Sequence, residues 1–348
     1  MGEHSSTQID RRAFLERVAT HASFLAPLRP SVRLSTDPNL TITAVGDVTL
    51  GYHFPRYFDR VKSEWGESAY AQPLGRVRAL LASSDVCLAN CEGTLTTSDR
   101  GRDKAYVFKG PPELARCLSQ GGVTAVNLAN NHFMDFGEAG AKDTLDACLA
   151  EGIQYYGGGR DSVDAAAPLL ICRNGVRLGV LGCALVGRSC AAGRRNPGTN
   201  PCTDRMYGAI RSTKSYCDVV AVSCHWGVER QTAPVAEQVR TARRFIDAGA
   251  DIVFGHHPHV LQGIERYAHG VIFYSLGNFA FGGNLFPADR DSIVARVTCG
   301  RSGVRRIEFA PVVTHPAPSV FEPFVPAFEH AERITKKVEA LSRALRAA

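Results

Sequence analysis

Five times along this chain an apolar run stops at or near a glycine or asparagine and delivers a carboxylate or an imidazole. The runs are TAVGD (43–47), CLANCE (87–92), VNLANNH (126–132), VAVSCH (220–225) and IVFGHHPH (252–259). Short β-branched stretches of this kind predict strands buried on both faces. In open α/β sheets ligands collect at the carboxyl ends of the strands, so the five ends are expected to meet in one crevice. That crevice would gather Asp47, Glu92, Asn131, His132, His225 and the 255–259 segment.

The stretches between these runs support a layered α/β fold. Residues 72–83, 112–120 and 138–151 have helical patterns, and strands alternating with helices imply a sheet with helices on its faces. In the second half, Asn174-Gly175 between two apolar runs predicts a hairpin, a helix is expected near 235–248, and SIVARV and VRRIEF read as further strands. Residues 187–201 read as a long loop, and Gly157-Gly158-Gly159 as a flexible turn without the context of a phosphate-binding loop. The expected organisation is a leader and linker over 1–38, one domain over 39–325, and a C-terminal helix over 326–348 packed on that domain. A chain of 348 residues, 45% of them hydrophobic, can bury the core this requires.

Charge and cysteine usage narrow the function. The net charge of +6 comes from scattered arginines and not from a basic run, so no nucleic-acid partner is expected. The eleven cysteines form no CxxC pair and read as reduced core thiols, which fits the cytoplasm. The competing expectation is export, since Arg11-Arg12-Ala13-Phe14-Leu15 resembles the core of a twin-arginine signal. No apolar stretch is long enough to span a bilayer, so no membrane partner is expected. Oligomeric state has no signature.

Taken singly, Asp47 reads as well as a turn or helix cap, and Glu92 as a helix N-terminal charge. His256, His257 and His259 are different. Three imidazoles within four positions repel one another when protonated and contribute little as core, whereas neutral imidazoles at this spacing suit a divalent cation.

Together GDVTLG, NCEGTLT, NLANNHFMDFG, SCHWGVE, GHHPHVLQGIE and FYSLGNFAFG resemble the signature of the CapA-like family, named for poly-γ-glutamate capsule proteins and similar in fold to calcineurin-like metallophosphoesterases. The resemblance implies a two-layer β-sandwich flanked by helices with a metal at one edge of the sheets. It implies that Glu92, Asn131, His225 and one histidine of the 256–259 cluster ligate the metal. HxH spacing favours His257 with His259, and His256 is the other candidate. Asp47 and His259 would line the adjoining position, and His132 would be the acid–base imidazole. The pattern also departs from dinuclear phosphoesterases: Asp47-Val48-Thr49 stands where D-x-H is usual, and Cys91-Glu92-Gly93 where a bridging aspartate is usual. One divalent ion (calcium, manganese or zinc) and no organic cofactor are therefore expected, and two-metal phosphoryl chemistry is disfavoured.

A histidine-lined crevice with one metal suits proton removal and return. His132 with Asp135, and His259 with Asp47, are the expected His/Asp pairs, each carboxylate fixing one ring nitrogen so that the other is free for chemistry. Trp226, Phe279 and Asn278 are candidates for the substrate wall, with core packing or a turn as the competing assignments. The leading expectation is a peptide epimerase, since a CapA-like subgroup is associated with inversion of the C-terminal residue of lasso-peptide precursors. The alternatives are a metal-dependent hydrolase of phosphoesters or γ-glutamyl amides, and a non-catalytic capsule-polymer protein.

Overall fold

Alternation of side chains along the central strands separates three hydrophobic cores and so defines the layers. In the strand Leu40–Thr49 (β1), Leu40, Ile42 and Ala44 face one core and Val45 and Val48 another. In Val86–Cys91 (β2), Val86 and Leu88 face the first and Cys87, Ala89 and Cys91 the second. The pattern is that of strands buried on both faces.

The computed structural model describes residues 38–314 and 321–347. The leader expected over 1–38, including the twin-arginine-like segment, lies outside the described residues but for Pro38. After β2 come the strands Ala125–Asn127 (β3), Gln154–Tyr156 (β4), Leu169–Arg173 (β5), Val176–Ala184 (β6), Val219–His225 (β7), Ile252–His256 (β8), Ile264–Tyr267 (β9), Gly270–Phe273 (β10), Asn278–Phe281 (β11), Asp291–Gly300 (β12) and Gly303–Val313 (β13). One sheet has the order β13-β12-β1-β2-β3-β4, with β11 also paired to β1. The other has the order β9-β10-β8-β7-β6-β5. β1 through β4 are parallel to one another, as are β6, β7, β8 and β10, while β12, β13, β5 and β9 pair antiparallel.

The two sheets share the central core, to which β1, β2 and β12 contribute from one side and β6, β7, β8 and β10 from the other. Helices Phe54–Trp65 (α1), Ala115–Gly121 (α2) and Gly137–Ala150 (α3) cover the outer face of the first sheet, and Asp204–Lys214 (α4) and Ala236–Asp247 (α5) that of the second. The result is a mixed α/β sandwich of two sheets flanked by helices. The C-terminal helix Phe328–Ala347 (α6) is more than an outer covering, because Ile334 and Val338 are buried in the central core between the sheets.

The expected hairpin and three of the expected helices are present. Asn174 and Gly175, both at positive φ, make the two-residue turn of the β5–β6 hairpin. The predicted helices near 112–120, 138–151 and 235–248 correspond to a 3₁₀ turn leading into α2, to α3 and to α5. All eleven cysteines are unpaired. No helix among the described residues is long and apolar enough to cross a membrane.

Others need correction. The helix expected over 72–83 shrinks to Arg78–Ala82. The strand expected from the run that starts at Val126 stops at Asn127, whose side chain accepts a hydrogen bond from the Ala129 N–H (3.2 Å) and turns the chain. The three glycines 157–159 are not a loose turn. Gly158 and Gly159 pair with Gly198 and Thr199, and a Cβ on Gly159 would lie 2.4 Å from the Ala165 nitrogen, so this chain crossing has no room for a side chain.

Candidate metal centre

Strand register carries the polar groups into line. Asp47 is the in-register neighbour of Asn90 on β2 and of Asn278 on β11, and Asn90 is the neighbour of Asn127 on β3. In the other sheet His225 on β7 neighbours His256 on β8. All but Asn278, which opens β11, are at or near the carboxyl ends of parallel strands, and the two sheets bring the rows together, with Asn90 Nδ2 lying 3.4 Å from His225 Nδ1. Gly46 is required beside them. A Cβ there would lie 1.9 Å from the Gly277 carbonyl oxygen, which itself accepts the Asp47 N–H.

Asp47 is fully buried and well partnered. Its Oδ1 accepts from Asn90 Nδ2 (2.9 Å) and lies 3.3 Å from His256 Nδ1, and its Oδ2 accepts from the His257 N–H (3.2 Å) and faces His259 Nδ1 (3.0 Å). Burial alone would raise its pKa, but hydrogen bonds and positive charge from His256 and His259 outweigh that and hold the carboxyl well below the usual range. His259 responds in the opposite sense. Burial disfavours its charge, yet the Glu92 and Asp47 carboxylates push it up to about 9.

Glu92 is the other extreme. It is fully buried, Oε2 receives only a long contact from Asn90 Nδ2 (3.3 Å), and Oε1 has no hydrogen-bond partner. Burial raises its pKa well above that of an ordinary carboxyl. Three imidazole Nε2 atoms surround Oε1, those of His225 at 3.6 Å, His259 at 3.7 Å and His132 at 4.0 Å. His225 is also fully buried, its pKa held well below normal by burial and then by the charge of His257, and its Nε2 lies 2.9 Å from Asn131 Oδ1. Burial and the neighbouring His259 push His257 down to about 4, and its Nδ1 too lacks a partner. Unsatisfied buried polar atoms are costly, and here they cluster on a carboxylate and neutral imidazoles, the donor set of a divalent cation. The residues therefore fit a metal. Ligand atoms of Glu92, His225 and His257 lie within 4.8 Å of one another, as do those of Asp47, Glu92 and His259. Glu92 belongs to both sets.

His257 and His259 have positive φ (94° and 58°) on either side of Pro258. Backbone in this region is unfavourable for non-glycine residues, and the strain turns both residues toward the site.

His132 lies on the far side of Glu92, its ring stacked on Phe108 at 4.0 Å between centroids. Its Nδ1 is 2.7 Å from Asp135 Oδ2, which also accepts the Phe108 N–H (2.7 Å). Burial lowers the His132 pKa, only partly offset by Asp135. The two expected His/Asp pairs are thus in contact in the structure, with the free Nε2 of each turned to the same carboxylate oxygen.

Of the expected residues, Asp47, Glu92, Asn131, His132, Asp135, His225, His257 and His259 are brought together. His256 faces Asp47 and belongs to neither set. Asn278 contacts His259 Nδ1 (3.0 Å) and so orients an imidazole. Trp226 and Phe279 require correction as substrate-wall residues. Both are fully buried; Trp226 donates to the Tyr274 carbonyl and packs near Phe245, while Phe279 lies in the core beneath α1, so neither has surface to offer a ligand.

Sequence reasoning missed three groups. Asn90 is the hub that links Asp47, Glu92, His225 and Asn127, and its position within LANCE was the available signal. Lys104 reaches in from the 97–108 segment to pair with Asp135 (2.5 Å) and to touch His132 Nδ1 (3.2 Å). No local pattern marks it. Glu229, exposed at the rim, has a carboxylate oxygen within 4.8 Å of ligand atoms of His257 and His259.

The bacterial capsule synthesis protein PGA_cap family matches residues 41–283, a span that contains every residue of this centre. The chain belongs to that family. Among its relatives, the PGA biosynthesis protein CapA of Bacillus subtilis is 35% identical over 293 residues, covering 83% of this chain and 75% of that protein. The capsule biosynthesis protein CapA of Bacillus anthracis is 34% identical, with 72% of this chain and 62% of that protein covered. A solved calcineurin-like phosphoesterase, YfkN of Bacillus subtilis, aligns over 87% of this chain and 97% of its own, at 14% identity and a TM-score of 0.42.

Proposed function

We propose that this PGA_cap protein is a metal-dependent acid–base enzyme that inverts a carbon centre next to a carboxyl or carbonyl group of a peptide. The observation that carries the reading is the pair of His/carboxylate couples, His132–Asp135 and His259–Asp47, with both Nε2 atoms within 4.0 Å of Glu92 Oε1. Their environments differ in the way a two-base reaction needs. His132 is kept neutral and can accept a proton; His259 is kept charged and can donate one.

In one direction His132 takes the Cα proton, the C–H electron pair moves toward the adjoining carbonyl oxygen, and His259 returns a proton to the opposite face. Asp135 and Asp47 hold the rings and stabilise whichever imidazolium results. Lys104, partly exposed beside Asp135, adds positive charge where a substrate carboxylate would enter. A divalent cation held by Glu92, Asn131, His225 and His257 would supply the positive charge that stabilises the developing oxyanion.

The test is incubation with a peptide in D₂O. The reading requires deuterium at one Cα with no mass loss, and loss of that exchange in both His132→Gln and His259→Gln. Cleavage without exchange would overturn it.

The relatives' names favour a second reading, in which the chain serves capsule or polyglutamate synthesis, either by hydrolysing γ-glutamyl amides or by binding the polymer without chemistry. Incubation with poly-γ-glutamate distinguishes these. Shortened chains support hydrolysis, retention without shortening supports binding, and neither outcome would remove the polymer as a ligand.

A further inference from the structure

On the outer face of the second sheet, away from the imidazole crevice, three thiols meet. Cys183 on β6 and Cys224 on β7 are in-register neighbours with their sulfurs 3.6 Å apart, and both are fully buried. Cys202 comes from the far end of the 187–201 loop. A bridge between Ala184 and Pro201, with the Cys202 N–H donating to the Ala184 carbonyl (2.8 Å), brings its sulfur within 4.8 Å of the other two. Cys202 is partly exposed and forms one wall of a groove of about 280 Å³, which Thr203, Tyr207, Arg188, Arg240 and Arg244 also line.

We propose that Cys183, Cys202 and Cys224 form a second metal site, for a thiophilic d¹⁰ cation of the zinc(II) or copper(I) class. Metal–sulfur bonds of about 2.3 Å in a tetrahedral arrangement put the sulfurs ~3.8 Å apart; Cys183 and Cys224 are already at 3.6 Å, and the Cys202 sulfur is within 4.8 Å of both. The ligand set is all sulfur, the softest a protein offers, and it discriminates against the hard ions that carboxylates prefer. The groove leaves a fourth position open to water or a small anion. Three thiolates around a dication carry one net negative charge, and Arg244, held over the Tyr207 ring and against Asp204, stands beside them to offset it.

The local electrostatics favour ionisation of the outermost thiol. Hydrogen bonding with Cys183 and Cys224 outweighs burial, and with Arg244 nearby pushes the Cys202 thiol down to about 5. Cys202 also directly precedes the Thr203 N-cap of α4, a position that favours a thiolate. The remaining cysteines lack this arrangement. Burial raises the thiols of Cys87 and Cys299, for example, to about 12.

Cadmium titration of the reduced, metal-free full chain tests the proposal, because sulfur-to-cadmium charge transfer in the near ultraviolet is blind to imidazole and carboxylate ligands. A Cys172→Ser background removes the exposed thiol. The band should saturate at one cadmium per chain and be competed away by zinc or copper(I). Cys202→Ser should lower the amplitude by about a third or more and weaken binding at least tenfold, and Cys224→Ser should do the same. If Cys224→Ser does not fold, Cys202→Ser decides together with zinc protection of Cys202 from iodoacetamide in the parent protein. Absence of the band, or an unchanged band in folded Cys202→Ser, would overturn the site. Neither result depends on what the imidazole crevice does.

Discussion

Two buried carboxylates in this molecule have opposite fates. Asp291, at the start of β12, is gripped by α6. Arg333 binds it through both nitrogens (2.6 and 2.8 Å), Lys337 lies at 2.9 Å, and His330 is 3.4 Å away. Burial opposes ionisation there, but Arg333 and then Lys337 outweigh it and hold the pKa at about 2. Glu92 Oε1 accepts no hydrogen bond, the imidazoles around it standing 3.6 to 4.0 Å away, and burial raises its pKa. The first carboxylate is complete within the polypeptide and fastens a helix. The second acquires a full set of partners only when a cation arrives, which is how a fold marks a binding site as distinct from a tie.

The largest expected effect comes from cutting the tie. Asp291→Ala should destabilise the protein by about 2–3 kcal/mol, because Arg333 and Lys337, both partly exposed, lose the charged hydrogen-bond partner they share. Denaturant unfolding measures this, and metal affinity should not change. The sign with pH follows from the depressed pKa: the contribution is fully present above the unfolded carboxylate value of roughly 3.9 and is lost as pH falls toward 2. Acid unfolding of the variant should lack that component.

Glu92→Gln should do the reverse. Calorimetric metal affinity should fall about 100-fold, near 2.7 kcal/mol, while the metal-free protein stays within about 1 kcal/mol of the parent, since the amide keeps the shape of a carboxyl whose charge burial already disfavours. A large loss of metal-free stability would erase the contrast. Metal withdrawal sharpens it further. At a hundredfold excess over the dissociation constant a bound ion contributes about 2.7 kcal/mol, so a chelator should lower the melting temperature of the parent but not of Glu92→Gln. The smallest effect is expected from Lys104→Met. Its ion pair with Asp135 is partly exposed, so stability should change by at most about 1 kcal/mol. A rise in KM for a carboxylate-bearing substrate, with the fold intact, would assign Lys104 to substrate capture.

Much of this centre was legible in the sequence because strand ends follow a local rule: an apolar run that stops at Gly46-Asp47 or at Asn131-His132 announces a carboxyl-terminal edge, and parallel pairing does the rest. The spacing of Asp135 from His132 was readable for the same reason. Contacts set by distant segments were not. Lys104 reaches His132 from 28 positions away through a loop with no periodicity, and the Cys183–Cys202–Cys224 cluster depends on a bridge across the 187–201 excursion. Trp226 and Phe279 were misread because closeness in sequence to His225 and Asn278 says nothing about which face of a strand a side chain takes. In α1 the apolar residues Phe54, Tyr57, Phe58 and Val61 have the helical spacing that marks this helix in the sequence.

The contact at Gly46 has a consequence for how such a centre can diverge. Where one backbone lies against another with no space for a single methyl group, the position of Asp47 is dictated by main chain meeting main chain, not by any neighbouring side chain. Residues around the rim can then be exchanged for new substrates while the innermost carboxylate stays where it is, like a keystone that no rearrangement of the outer masonry disturbs.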